Sequence, residues 1–166
     1  QNGRTDAVII DPAANSRKIT AALQEHSLTP VCFLLTHAHF DQIGALKPLL
    51  AAAPDARVYV GDRDKDDPCD MAYDLLTYTD TYQDGDTVEA AGLSFRVLGT
   101  PGHTPGSVCL LCGNTLVSGD TLFAGSYGRT DFKGGSMQDM YASLRKLAAL
   151  PPQTRVLPGH GPESTI

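Results

Sequence analysis

The sequence predicts an α/β domain with helices packed outside β-sheets. Apolar runs of strand length alternate with segments of helical periodicity. Polar clusters also open within a few residues of the C-terminal ends of the predicted strands, where ligand sites of α/β folds gather. With 166 residues, 42% of them hydrophobic, the chain can bury one substantial core, and residues 1–166 read as a single domain.

Taken in order, residues 1–6 read as a turn leading into a strand, Ala7-Val8-Ile9-Ile10-Asp11. Such a turn normally joins the strand to one before it, so an N-terminal hairpin is expected to be incomplete. A helix is expected over 15–27, capped by Asn15 or Ser16, with Ile19, Ala22, Leu23 and His26 on one face. Val31 to Thr36 is a β-branched, apolar strand, Ile43 to about Ala53 returns to helical spacing before Pro54, and Arg57 to Val60 is a further strand.

The mixed charges of 62–67 predict a solvated loop, followed by a helix around 71–79. Strands follow at 87–90, 93–98, 107–111 and 115–118, two of the turns being Ala91-Gly92 and Gly113-Asn114. A last long helix begins at Ser136, with Asp139 three residues on as in a capping box, and buries Met140, Leu144 and Leu147. A short strand over 154–157 closes the pattern.

The net charge is −6, with no run of Lys or Arg, which argues against a nucleic-acid or anionic-membrane surface. No apolar stretch approaches the length of a bilayer span, and no signal peptide is visible, so a soluble, cytoplasmic protein is expected. Four scattered cysteines do not make a disulfide scaffold. Cys109 and Cys112 imitate half a zinc knuckle, but at i and i+3 of a strand they point to opposite faces and belong to the core.

The chemistry lies in the loops. Thr36-His37-Ala38-His39-Phe40-Asp41-Gln42 packs two imidazoles, a carboxylate and a carboxamide directly after an apolar run. Imidazole with carboxylate is the donor set of zinc, iron and manganese. His103 follows a second strand inside Thr100-Pro101-Gly102-His103-Thr104-Pro105-Gly106, a loop stiffened by two prolines. Asp120 follows a third strand, and His160 sits in Pro158-Gly159-His160-Gly161-Pro162 after a fourth.

In this order, His37-x-His39-x-Asp41, Gly102-His103-Thr104-Pro105-Gly106, Ser118-Gly119-Asp120 and Gly159-His160-Gly161 resemble the motif set of the metallo-β-lactamase superfamily, in its glyoxalase II-like (hydroxyacylglutathione hydrolase) branch. Gly128-Arg129-Thr130-Asp131 with Gly134-Gly135 is similar to that branch and to the related persulfide dioxygenases. The resemblance implies an αβ/βα sandwich: two mixed sheets face to face, helices outside, metals at one edge. It assigns His37, His39, His103 and Asp120 to a first metal, with Asp120 bridging, and Asp41, His160 and residue 42 to a second. The family usually has histidine at that last place, where this chain has Gln42, whose amide oxygen is a weaker ligand. One or two Zn2+ ions are therefore expected, with Fe or Mn as alternatives.

The activity implied is metal-assisted hydrolysis of a small-molecule thioester, with a glutathione conjugate as the model substrate. A metal-bound water acidified to a pKa of about 7 is the nucleophile, Asp41 orients it, and a thiolate leaves without a strong general acid. Arg129 is the candidate substrate contact, as a grip for a carboxylate, against the competing possibility of a salt bridge with Asp131. Tyr127 is a second. Two other readings stand beside this one: a mononuclear iron(II) persulfide dioxygenase using His37, His103 and Asp120, and a non-catalytic binding domain that kept the fold. Lactones and β-lactams are substrate variants, and the sequence does not speak to oligomeric state.

Overall fold

The computed structural model describes residues 3–66 and 74–166. Strands β1 (Asp6–Ile10), β2 (Thr29–Leu34), β3 (Arg57–Gly61) and β4 (Asp80–Tyr82) form a four-stranded sheet in that order, parallel at every described pairing. The second sheet is mixed. It contains β5 (Thr87–Ala90), β6 (Leu93–Gly99), β7 (Val108–Cys112), β8 (Thr115–Gly119), β11 (Arg155–Pro158) and β12 (Ser164–Thr165), in the order β12-β11-β8-β7-β6-β5. Strands β9 (Leu122–Phe123) and β10 (Ser126–Tyr127) make a small separate hairpin. The helices are α1 (Ser16–Glu25), α2 (Phe40–Ile43), α3 (Leu46–Ala52) and α4 (Met137–Leu147).

Alternation along the strands builds three apolar layers. Cys32 and Leu34 of β2 meet Val97, Val108 and Leu110 of the other sheet in a core between the sheets. Phe33 and Leu35, pointing the other way, pack with Val58, Val60, Ile43, Leu46 and Leu49 under the first three helices. On the far side, Leu98, Cys109, Leu116 and Val156 receive Leu147 of α4. This is the expected αβ/βα sandwich, except that the first sheet is parallel rather than mixed at its described pairings. Cys109 sits in the layer under α4 and Cys112 against the layer between the sheets, so the pair cannot share a metal. Cys32, Cys109 and Cys112 are free thiols, and Cys69 lies outside the described residues.

Both predicted N-caps form, but the capping box at Ser136 is half made, since Ser136 N donates to Gly102 O at 2.8 Å. The Asn15 side chain accepts from Lys18 N, and Ser136 accepts from Asp139 N. Of the apolar residues expected under α4, Met140 and Leu147 are fully buried and Leu144 partly. The helix expected over 43–53 divides into α2 and α3 at Gly44-Ala45, where Ala45 N donates to Pro12 O at 2.8 Å. A side chain at residue 44 would lie 2.5 Å from Ala13 O, so the chain turns there to dock against the 12–13 loop.

Strand β2 begins two residues earlier than expected. Pro30 is accommodated where the β1 register shifts between Ala7 and Val8. The helix expected over 71–79 is not seen in its described part, 74–79, and residues 71–73 lie outside the described residues. Thr79 instead exchanges hydrogen bonds with Val58 and leads into β4 on the free edge of β3. Among the described residues, no helix is long and apolar enough to cross a membrane.

Candidate metal centre

At one end of the sandwich, the exits of β2, β6, β8 and β11 lie together. Val108 N donates to Thr36 O at 2.9 Å, which ties the end of one sheet to the other. Thr36 is held from beneath by Asp11, whose carboxylate accepts from Thr36 N and Thr36 Oγ1, each at 2.7 Å. The Thr36 hydroxyl in turn lies within hydrogen-bond reach of His37 Nδ1, at 3.2 Å. His103 Nδ1 donates to the Arg129 carbonyl at 2.8 Å. Each contact engages Nδ1 and leaves Nε2 of the ring turned inward.

The inward-turned atoms converge. His37, His39 and His103 each offer a ligand nitrogen, all within 4.8 Å of one another, and the three rings meet edge to face with centroids 4.5 to 4.9 Å apart. His37 Nε2, His103 Nε2 and Asp120 Oδ1 are buried without a hydrogen-bond partner, which three polar atoms in one place do not tolerate unless something else satisfies them. Burial, reinforced by the neighbouring imidazoles, pushes the His37 pKa well below its ordinary value. Burial first and His103 second bring His39 down to about 4. Both are thus neutral at pH 7, the protonation state that binds a cation.

Asp120 follows Gly119, whose φ is +48° and whose missing side chain would stand 2.2 Å from Thr36 Oγ1. No other residue lets the end of β8 approach β2 so closely. Asp120 Oδ2 lies 3.5 Å from both His103 Nε2 and His160 Nε2. Burial raises its pKa, opposed by the two imidazoles.

The remaining predicted ligands gather beside this set. His160 Nε2 is 3.2 Å from Asp41 Oδ2 and 3.4 Å from Gln42 Nε2. Gln42 is buried, while Asp41 and His160 stay 40% and 55% exposed, so this half of the site opens to solvent. Neutral imidazoles, carboxylates and unpartnered buried atoms fit a divalent cation of the zinc, iron or manganese kind.

A cleft of about 790 Å³ lies over these groups, walled by Phe40, Phe123, Phe132 and Tyr127. Arg129 lines it too, but its guanidinium is bonded twice to Asp131, at 2.7 and 2.6 Å, and lies 3.9 Å from the centre of the Phe132 ring. The salt bridge foreseen as the competing role of Arg129 is therefore formed. Phe132 in turn edges His39, with centroids 5.7 Å apart. Tyr127 turns its ring toward Tyr141 at 6.2 Å.

Sequence reasoning missed the residues behind the ligands. Asp11 and Thr36 orient His37 and the Arg129 carbonyl orients His103, through contacts between 25 and 26 positions apart in the chain (His37 itself adjoins Thr36). The 62–67 cluster was expected to be solvated, yet Asp64 is 2% exposed and accepts three hydrogen bonds from the ligand-bearing loops. A carboxylate among alternating charges gives no local signal of burial.

Comparison with known proteins agrees with this architecture. The profile described as "Metallo-beta-lactamase superfamily" matches residues 1–160. The probable metallo-hydrolase YqgX of Bacillus subtilis (strain 168) is 36% identical over 173 residues, covering 96% of this chain and 82% of its own length. The hydroxyacylglutathione hydrolase of Salmonella arizonae is 36% identical over 159 residues, and this chain spans 96% of itself but only 59% of that relative. The crystal structure of TTHA1623 in a di-iron-bound form superposes with a TM-score of 0.81 at 40% identity, covering 94% of this chain and 82% of that one. With its four strand-end loops gathered around an imidazole and carboxylate cluster, this chain belongs to the metallo-β-lactamase superfamily.

Proposed function

We propose that this protein is a metal-dependent hydrolase of thioesters of the hydroxyacylglutathione type, with His37, His39, His103 and Asp120 holding the first cation and Asp41, His160 and, weakly, Gln42 the second. The observation that carries this reading is the convergence of unpartnered, buried His37 Nε2, His103 Nε2 and Asp120 Oδ1 beside His39. The metal-hydrolase relatives named above support it, and Zn2+ is the expected ion.

A divalent cation bound there supplies Lewis acidity and an acidified water. The chain's own groups do the rest. Thr36 and the Arg129 carbonyl hold the two imidazoles with Nε2 aimed inward. Asp41, facing the open side, accepts a hydrogen bond from the attacking water and directs its lone pair at the acyl carbon. Phe40 and Phe132 flank the acyl group in the cleft and shed water from it. The departing thiol, with a pKa of about 8.5, leaves as thiolate and needs no positioned acid.

Elemental analysis of protein purified without added metal, paired with a thioester assay on the same sample, tests the reading. Zinc with turnover supports it; metal-free protein, or loaded protein inert toward every thioester tried, refutes it. One observation favours a second reading: beside His160 the second half of the site offers the neutral amide of Gln42, a weak donor, as suits a single iron bound for persulfide oxidation. Iron content with oxygen uptake on glutathione persulfide would select that alternative.

A further inference from the structure

After β3 the chain turns at 62–66 and places the Asp64 carboxylate under the histidine cluster. Oδ2 accepts from Ala38 N at 3.2 Å and from Thr104 Oγ1 at 2.7 Å, and Oδ1 accepts from Gly106 N at 2.6 Å. Ala38 lies between His37 and His39, and Thr104 follows His103. One buried carboxylate thus bonds both loops that carry the three imidazoles.

The loop is pressed onto it. A side chain at residue 106 would stand 2.5 Å from Asp64 Oδ1, and one at residue 61 would stand 2.0 Å from Gly106 O. Burying the carboxylate raises its pKa, and the three hydrogen bonds work against that rise. A group that is costly to bury, and is met by donors from two separate loops, suits the holding of those loops at one spacing.

We propose that Asp64 is a positioning residue of the metal centre: its carboxylate sets the separation of the 37–39 and 103–106 loops, and so the gap between the ring nitrogens of His37, His39 and His103. This rests on the reading of that cluster as a cation site. A carboxamide cannot substitute. Whichever way an asparagine amide is turned, its NH2 faces either Gly106 N–H or Ala38 N–H, and one backbone donor loses its acceptor.

The test measures Zn2+ dissociation constants by competition with a chromophoric chelator, and Co2+ absorption spectra, on the full chain. Asp64→Asn, which keeps side-chain volume, should weaken Zn2+ binding about 10- to 100-fold, the usual loss when an outer partner of a metal ligand is removed, and should alter the Co2+ ligand-field bands. Val88→Ala, in the core between the sheets on edge strand β5, is the stability control and should lower the melting temperature while leaving both readouts unchanged. Wild-type affinity in Asp64→Asn overturns the proposal, and so does an equal loss of affinity in Val88→Ala. If Asp64→Asn does not fold, Thr104→Val is compared with Ser107→Ala, since both lose the Thr104–Ser107 contact and only the first also removes a bond to the carboxylate: weakening of several-fold in Thr104→Val alone sustains the proposal, and unchanged binding, or an equal loss in Ser107→Ala, overturns it. A wild-type chain that binds no Zn2+ removes the metal-centre reading itself, whereas tight wild-type binding with an unaffected Asp64→Asn removes only the positioning role.

Discussion

The His103 ring is tethered to the backbone of Arg129, its Nδ1 donating to that carbonyl at 2.8 Å across 26 positions of sequence. The bond fixes both the tautomer and the plane of the ring. His103→Ala removes a ligand and leaves the Arg129 carbonyl without this donor. It is expected to lower metal affinity by 100-fold or more and to abolish thioester turnover. Equilibrium dialysis with elemental analysis checks the first, and a retained stoichiometry would contradict it.

Gln42 touches the same His160 that approaches Asp41, so the second half of the site is assembled apart from one strong donor. Replacing the amide by imidazole, Gln42→His, should raise the metal-to-protein ratio toward two. Titration followed by inductively coupled plasma analysis reads this. A wild-type ratio already near two would show the carboxamide to be sufficient.

Arg129 pairs with Asp131 where both side chains are more than half exposed, a setting in which an ion pair adds little to stability. Arg129→Ala should therefore leave the melting temperature nearly unchanged. It should raise KM for carboxylate-bearing thioesters several-fold and spare neutral ones. Equal KM changes for both classes would show that the guanidinium recognises no substrate charge.

Burial lifts the Asp11 carboxyl to about 7, with the two Thr36 hydrogen bonds opposing the rise. The folded state therefore holds a proton that the unfolded chain, titrating near about 4, releases earlier. Stability falls as pH rises through the window from about 4 to about 7 and levels off above it. Asp11→Asn removes that dependence, and its φ of +46° is one that asparagine tolerates. In metal-free protein, thermal melts should show the variant no better than wild type at low pH and more stable above neutrality, by roughly 1–3 kcal/mol after allowance for partial solvation. A pH-independent difference would locate the Asp11 proton elsewhere.

Much of the site was legible because its ligands are rare residue types in stiff loops at strand ends. His37, His39, His103 and His160 stand among Gly, Pro and Thr, and no core demands them there. The orienting groups were illegible for the opposite reason. Asp11, Thr36 and Asp64 are common residues whose partners are fixed only when distant strands pair. In the fold, long apolar strands and capped helices could be read because periodicity and caps are local. The three-residue β4 could not, since its pairing with β3 depends on an edge that exists only after folding. The break at Gly44-Ala45 likewise answers to Pro12 and Ala13, which no window around residue 44 contains.

The Val108 to Thr36 hydrogen bond joins the two sheets at the same end that carries the histidines. The sandwich is thus bound like a book whose spine runs beside its most reactive page. Parting the layers at this end has to break that bond, whereas the edge strands β1, β4, β5 and β12 each have a neighbour on one side only. Motions confined to those edges therefore leave the clasp beside the imidazoles intact.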